Sequence, residues 1–204
     1  MKQIWKTNNG TTLNARGASR GICTIWNTQF FREEETIKST HSSLVYLKHL
    51  QSGITYPICN VYMPNNYWEK MGCWESLMKT KDIGAQTNCI IARDFNKTLH
   101  QGEIKGGSIV RDMFREHMDD LISELDLFDV QPSKGKLTCS YKRLRVGHIA
   151  SRLDRFLIHT FILLLSLNIS SQIVPWGISD HLPISLSFDE VDNLGSIPFK
   201  FNPI

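Results

Sequence analysis

The sequence predicts an α+β domain in which β-strands outnumber helices. Three observations lead to this prediction. Short stretches of alternating apolar and polar residues recur along the chain, as in strands of a partly buried sheet. Two longer stretches carry apolar residues at helical spacing. A hairpin pattern precedes a strand–helix unit, and this mixture favours layered sheets with helices over a simple parallel sheet.

The first half of the chain predicts three strands and one helix. Residues 22–27 are rich in β-prone side chains. Residues 44–50 alternate, as a strand with one wet face does, and residues 54–62 follow a Ser-Gly turn, so the two stretches predict a hairpin. A helix is indicated by four large side chains on one helical face: Tyr67, Met71, Trp74 and Met78.

The second half predicts a short apolar strand at 88–92, a loop at 102–107 and an amphipathic helix. The helix is indicated by four side chains that share one face: Phe114, Met118, Leu121 and Leu125. Three further strands are predicted, at 137–141, 152–158 and 184–188.

Composition excludes several classes of protein. The 204 residues are 41% hydrophobic and 21% charged, which argues against a disordered chain. The formal net charge of +3 permits a polyanionic partner without requiring one. No apolar run approaches the roughly 20 residues of a membrane-spanning helix, so we expect no membrane partner. Five cysteines without closely spaced pairs predict reduced thiols in an intracellular protein, nuclear or cytoplasmic.

Asp94 and Asn96 form the first candidate site, because they directly follow a predicted buried strand. Residues two apart at a strand end project to the same side. There an aspartate can accept a proton or bind a metal, and an asparagine can orient a water or a phosphate oxygen. The alternative is an Asx-type turn in which both side chains satisfy the backbone.

Asp180 and His181 form a second candidate, just before the last predicted strand. They offer a carboxylate for a divalent cation and an imidazole for a phosphoryl oxygen. The alternative is that the two residues only shape the loop.

Asp154 lies on a strand face with apolar neighbours, where a lone acid is costly to bury, so it needs a partner. That partner is Arg152 in one interpretation and His181 in the other.

Tyr62 lies at the end of a predicted strand, where sites in layered folds often lie, and its alternative role is that of a core tyrosine. Together the clusters resemble a known superfamily. The segments NVYMPN, DFN, RLDRFLI and SDHLPI are similar to motifs of the endonuclease/exonuclease/phosphatase superfamily, which comprises divalent-metal phosphodiesterases. The segments GEIKGG and GKLT resemble the endonuclease domain of plant LINE-type (non-LTR) retrotransposons.

This resemblance implies a fold and a domain organisation. The fold is a four-layer sandwich of two mixed β-sheets flanked by helices. The chain divides into an irregular N-terminal segment at 1–16, a partial domain at 17–189 and a tail or linker at 190–204. The tail resembles the segment that precedes a reverse transcriptase in such elements. The implied partner is DNA, and we expect a monomer.

The resemblance also implies roles for individual residues. Asp94 is the base that deprotonates the attacking water, and Asn96 holds that water or the phosphate. His181 donates a hydrogen bond to the developing phosphorane and is oriented by Asp154. The remaining implied contacts are Asp180 with the metal, Mg²⁺, and Tyr62 and Asn65 with the scissile phosphate.

The chain departs from the family pattern at its metal ligands. The first-strand Asn and the Glu of a Gln-Glu-Thr-like motif have no counterpart, and residues 1–32 contain no Asp or Glu. Arg93 replaces a Gly, and Cys139 stands where Trp is usual. We therefore expect a truncated domain that lacks its first strand–helix portion, binds Mg²⁺ weakly and has impaired or no nuclease activity. The alternatives are a nucleic-acid-binding remnant, or another phosphodiesterase or phosphatase of the superfamily.

Overall fold

The computed structural model describes residues 8–14, 21–79, 88–96, 98–106, 114–141, 149–165, 167–174 and 179–190. Within these ranges the strands are β1 (Asn8–Leu13), β2 (Ile22–Asn27), β3 (Phe31–Lys38), β4 (Ser42–His49), β5 (Thr55–Val61), β6 (Ile90–Asp94), β7 (Ile104–Lys105), β8 (Leu127–Val130), β9 (Cys139–Tyr141), β10 (Ile149–Ser151), β11 (Asp154–His159), β12 (Leu167–Ile173) and β13 (Ile184–Glu190). The helices are α1 (Tyr67–Lys79), α2 (Phe114–Glu124) and α3 (Thr160–Leu163), with a 3₁₀ turn at Gln101–Glu103. None of these helices is long and apolar enough to span a membrane.

A six-stranded sheet organises the molecule, with the strand order β3-β4-β5-β6-β11-β8. Only β5 and β6 in this sheet run parallel, and α1 connects them. The other neighbours pair antiparallel. Two two-stranded sheets, β1-β2 and β12-β13, and a three-stranded sheet, β7-β10-β9, complete the β structure of the described residues.

The apolar core lies on both faces of the six-stranded sheet. On one face, residues such as Leu44 and Leu157 pack with Trp74 of α1 and Met118 of α2. On the other face, one cluster packs Val45 against Trp26 of β2. A further cluster on that face joins strands of the central sheet to β12, β13 and α3 through Ile90, Ile158, Ile162, Ile169 and Leu186. The predicted α+β sandwich with two β layers is therefore confirmed.

Most predicted elements are present with shifted ends. The predicted strands at 22–27, 44–50 and 54–62 correspond to β2, β4 and β5, and the two predicted helices to α1 and α2. All four residues of the apolar face predicted for the second helix are buried: Phe114, Met118, Leu121 and Leu125. Residues 191–204 of the predicted tail lie outside the described residues.

Three local expectations are wrong. Segment 1–16 is not irregular throughout, because Asn8–Leu13 pairs along its whole length with β2, and strand pairing outweighs the low β-propensity of Asn and Gly. The predicted loop at 102–107 contains the end of the 3₁₀ turn and β7, which pairs with β10. Strand β4 was expected to have one solvent-exposed face, but its first six residues are buried on both faces, because helices cover one side of the strand and β2 covers the other.

Candidate functional site

A cleft of about 400 Å³ that contains several polar side chains opens at one end of the central strands of the six-stranded sheet. It lies where β5 and β6 end and β11 begins, and the segment before β13 forms its opposite wall. Its polar lining includes Asn60, Tyr62, Asp94, Asp154 and His181. A larger cavity of about 540 Å³ lies elsewhere, and most of its lining is apolar, with Trp26 and Ile58 among the residues. The cleft with these polar side chains, here called the cleft, is therefore the candidate site.

The strand register places two carboxylates beside each other in this cleft. Asp94 is the last residue of β6 and Asp154 the first of β11, and they are direct antiparallel partners. Direct cross-strand partners project to the same face of a sheet, with their Cβ atoms about 4.5–5.5 Å apart. Both residues line the cleft. The pair is thus fixed by backbone hydrogen bonding rather than by loop conformation.

His181 lies between the two carboxylates. Its Nδ1–H donates to Asp154 Oδ2 at 2.8 Å, and its Nε2 is 3.9 Å from Asp94 Oδ2. Buried Thr138 aligns both sides of this contact: its carbonyl oxygen accepts from the amide of Leu182, and its hydroxyl accepts from the amide of Asp154. The imidazole is therefore held by Asp154 on one ring nitrogen and presents the other toward Asp94.

The pKa of His181 is raised above its ordinary value. The main cause is the hydrogen bond to Asp154, which stabilises the imidazolium. Burial opposes the rise, and the negative charges of Asp154, Asp94 and Asp180 add to it. The raised pKa keeps a larger fraction of His181 protonated near neutral pH, as a hydrogen-bond donor to an anionic substrate requires.

Asp94 and Asn96 also stabilise the turn after β6 by hydrogen bonds. The amide of Asn96 donates to Asp94 Oδ1 at 2.7 Å, and the Asn96 side chain donates to the carbonyl of Met63 at 2.6 Å. Asn96 has φ of 47°, a left-handed conformation that asparagine tolerates better than most residues. Lys70 of α1 donates to the Asn96 carbonyl, and burial lowers the pKa of this lysine while the charge of Asp94 opposes that change.

The structure places four predicted site residues in the lining of the cleft and three outside it. Tyr62, Asp94, Asp154 and His181 line the cleft. The other three do not line it: Asn65 and Asp180 are exposed, and Asn96 is half-buried in its turn. Of the two partners left open for Asp154, His181 makes the contact. The side chain of Arg93 is outside the described part of the chain.

Solved structures share this architecture. The endonuclease domain of TRAS1, a telomere-specific non-LTR retrotransposon, superposes with a TM-score of 0.62 at 12% identity, over 93% of this chain and 83% of that one. An endonuclease/exonuclease/phosphatase family protein from Bacteroides thetaiotaomicron gives 0.62 at 14% identity, over 91% and 76%. The chain has the endonuclease/exonuclease/phosphatase fold. The resemblance stated from the motifs is confirmed at this level.

One sequence relative is a transposon protein. The transposon TX1 uncharacterized 149 kDa protein of Xenopus laevis is 30% identical over 175 residues, which is 82% of this chain. The chain spans only 13% of that protein's length. No protein-family model matches the chain.

Sequence reasoning missed a group of four charged residues, three of them buried and Asp129 half-buried, here called the ion quartet: Glu103, Asp129, Arg152 and Arg155. Each arginine contacts both carboxylates, at distances from 2.7 to 3.3 Å. Glu103 also accepts from the amide of Leu99. The signal was present in the sequence, because two arginines three residues apart in the largely apolar segment RLDRFLI need acidic partners.

Sequence reasoning also missed Asn60 as a cleft residue. Its side-chain nitrogen lies 3.3 Å from Thr24 Oγ1 and 3.4 Å from the Cys23 carbonyl. Its buried Oδ1 has no hydrogen-bond partner within the described ranges. A buried acceptor of this kind in a cleft wall indicates a position for a water, ion or ligand group. The motif NVYMPN begins at this residue, so the signal was part of the resemblance.

Proposed function

We propose that the chain is a DNA endonuclease domain of the retrotransposon type that hydrolyses phosphodiester bonds at a low rate. The observation that carries this proposal is the convergence of Asp94, Asp154 and His181 in one cleft. The TRAS1 endonuclease domain and the TX1 protein support the substrate class, because both belong to mobile elements. The chemistry is in-line attack of water on a phosphodiester.

Each cleft residue has a distinct task in this proposal. Asp94 accepts the proton of the attacking water through Oδ2, while its Oδ1 is held by the amide of Asn96 and so fixes the carboxylate. His181 donates from Nε2 to a phosphoryl oxygen as negative charge gathers there, and Asp154 keeps the ring oriented. The hydroxyl of Tyr62 contacts the phosphate. Asn96 therefore positions Asp94 and does not touch the substrate.

The magnesium ion implied by the resemblance fits the donor set of the cleft. Mg²⁺ keeps several waters and binds proteins through one or two carboxylates, and Asp94 and Asp154 supply two. The unpartnered Oδ1 of Asn60 is a further oxygen in the same lining. Bound there, Mg²⁺ would neutralise charge on the phosphate oxygens. His181 competes with it, because its protonated ring already neutralises the carboxylates, and this favours weak binding and a low rate.

Nicking of supercoiled plasmid by the purified chain with Mg²⁺ tests this function. We expect slow conversion to the nicked circle, reduced at least about 10²-fold by His181→Ala and by Asp94→Asn, since a single well-placed donor contributes about that much. Asp120→Asn, an exposed position on α2, is the matched control and keeps the wild-type rate. Equal nicking by wild type and His181→Ala would refute the proposal.

The same protein samples separate the alternatives. DNA retention that falls steeply with salt, ignores Mg²⁺ and occurs without nicking would identify a binding module instead. The sequence feature that supports it is a run of basic residues, of which Lys134 and Lys136 are exposed, while Lys142, Arg143 and Arg145 lie outside the described residues. Turnover of a small phosphodiester without plasmid nicking would identify another phosphodiesterase.

A further inference from the structure

A thiol lies directly opposite the site histidine. Cys139 of β9 and His181 form an antiparallel bridge. The flanking hydrogen bonds, from the amide of Ser140 to the carbonyl of Asp180 and from the amide of Leu182 to the carbonyl of Thr138, identify a non-hydrogen-bonded pair. Side chains of such a pair lie close together on the same face. The backbone thus fixes the thiol beside the imidazole.

Asp180 completes a group of three possible metal ligands, here called the thiol triad: Cys139, Asp180 and His181. One ligand atom from each residue lies within 4.8 Å of the other two. Bond lengths of about 2.0–2.3 Å in a tetrahedral zinc site place neighbouring ligand atoms about 3.3–3.8 Å apart. The ligand atoms therefore need to move only slightly closer to one another to reach the spacing of a zinc site. The side chains that make this movement are exposed Asp180 and half-buried His181, because Cys139 is only 1% exposed and stays in place.

The chemistry of the triad differs from that of the two carboxylates in the cleft. Thiolate, imidazole and carboxylate are the ligands of zinc sites, whereas Mg²⁺ takes oxygen ligands. A soft ligand at Cys139 therefore selects Zn²⁺ over Mg²⁺. Three protein ligands leave the fourth position of a tetrahedral ion to water.

The contact of Asp154 with His181 is also compatible with a bound ion. A zinc-binding histidine almost always donates its other ring N–H to a carboxylate or carbonyl, which fixes the ring and raises its basicity. In this chain Asp154 accepts from Nδ1 at 2.8 Å, and Nε2 is then the nitrogen that can bind an ion. The arrangement is a carboxylate–histidine pair with a thiol beside it.

We propose that the thiol triad binds one Zn²⁺ ion and that this ion switches off the cleft by occupying His181. Binding releases the thiol proton of Cys139 to solvent, together with the imidazolium proton where His181 is charged. The imidazole then has no N–H to donate to a phosphoryl oxygen. The metal site stands on the triad alone, whereas the inhibition rests on the proposed function.

Cobalt substitution tests the metal site without reference to activity. Titration of the reduced, metal-free chain with Co²⁺ is expected to give a near-ultraviolet thiolate-to-cobalt charge-transfer band that saturates at one ion per chain and disappears when Zn²⁺ is added. Cys139→Ala abolishes the band. Two matched controls keep it: Cys23→Ala, at an exposed thiol, and Cys73→Ala, at a buried thiol of α1.

Two further variants keep the test decisive if Cys139→Ala folds poorly. Asp180→Asn changes an exposed side chain and weakens Co²⁺ binding, and Asp154→Asn weakens it by about 10–100-fold, as loss of a ligand-orienting carboxylate does. A band that survives in Cys139→Ala, or one lost in Cys23→Ala, overturns the site. Unchanged Co²⁺ binding by Asp180→Asn and Asp154→Asn overturns it as well.

The inhibitory step has its own readout. Equimolar Zn²⁺ is expected to lower the nicking rate in Mg²⁺ at least tenfold, and the ratio of rates without and with zinc falls toward one in Cys139→Ala. Loss of zinc inhibition with an intact cobalt band refutes the regulation but not the site. A chain that never nicks yet shows the band refutes the proposed function and keeps the metal site.

Discussion

Two groups of charged residues take members from the same short segment, residues 152–155, and differ in how their charges are paired. The ion quartet uses Arg152 and Arg155, and the cleft uses Asp154 between them. In the quartet each cation contacts two carboxylates and each carboxylate contacts two cations. In the cleft two carboxylates share one imidazole, which touches Asp154 and lies 3.9 Å from Asp94. The cations of the quartet are guanidinium groups that stay charged, whereas the imidazole of the cleft is charged only when it is protonated.

Burial does not separate the carboxylates of the two groups, because Asp94 is 8% exposed and Glu103 is 7% exposed. The cations separate the groups. The two guanidinium groups stay charged and each contacts both carboxylates, so the quartet stabilises the fold. In the cleft group the cation beside Asp154 is an imidazole, whose charge changes near neutral pH, and the charge of Asp94 acts on Lys70, whose pKa is lowered by burial. The comparison shows that a group whose charge can change, rather than a buried one, marks the site.

The two groups also respond to pH with opposite signs. Burial acts to raise the pKa of Glu103, but hydrogen bonds and charge from Arg155, with Leu99 and Arg152, outweigh it and hold this pKa below its ordinary value. The stability from Glu103 is therefore lost as pH falls through that lowered pKa. The pKa of His181 is raised, so its stabilising contribution is complete at low pH and is lost as pH rises through the raised value.

The largest expected effect comes from breaking the quartet. Arg155→Met removes a fully buried cation and leaves Glu103 and Asp129 with Arg152 alone, which is expected to lower the free energy of unfolding by about 3–5 kcal/mol. Urea denaturation measures this loss. Glu34→Gln breaks exposed ion pairs with Arg32 and Lys48 and is the control, with a loss below about 1 kcal/mol. Equal losses in the two variants would contradict the assigned role of the quartet.

A smaller effect is expected from the cleft side of the same strand. Asp154→Asn removes the main cause of the raised His181 pKa, so an NMR titration of the imidazole should show a lower pKa in the variant. The variant should lose about 1–2 kcal/mol of stability near pH 5.5, and less near pH 8.5, because the charged hydrogen bond disappears as His181 deprotonates. A loss that grows toward high pH would contradict the assignment of this contact.

The sequence was informative where local pattern and side-chain chemistry agree. The face of α2 followed from helical spacing alone, and the joint order of NVYMPN, DFN, RLDRFLI and SDHLPI gave the fold. Alternation around Asp154 correctly placed it on the face opposite Arg155, with Phe156 beside it. These features depend on periodicity, which a single chain displays directly.

Other features depend on pairing between distant segments, which periodicity does not contain. The strand at Asn8–Leu13 exists because β2 lies beside it, and β4 is buried on both faces because two layers cover it. The register of Asp94 against Asp154 and the bridge of Cys139 to His181 are likewise long-range. The departure at Cys139 was visible in the sequence, but its position beside the imidazole required the fold.

The variant with the smallest predicted effect tests whether the orientation of the cleft carboxylates depends on the sheet or on α1. Asn66 Oδ1 accepts from the amides of Trp68 and Glu69 and so caps α1, and Lys70 of this helix donates to the carbonyl of Asn96 in the turn after Asp94. Asn66→Ala should lower the free energy of unfolding by about 1 kcal/mol, the usual contribution of an N-cap. Because the register of β6 and β11 already fixes the carboxylates, we expect plasmid nicking to keep its rate. Asn66→Asp, which retains a capping oxygen, is the control for stability. A nicking rate that falls about tenfold in Asn66→Ala and recovers in Asn66→Asp would show that α1, through Lys70, sets the orientation of Asp94 and that strand pairing alone does not.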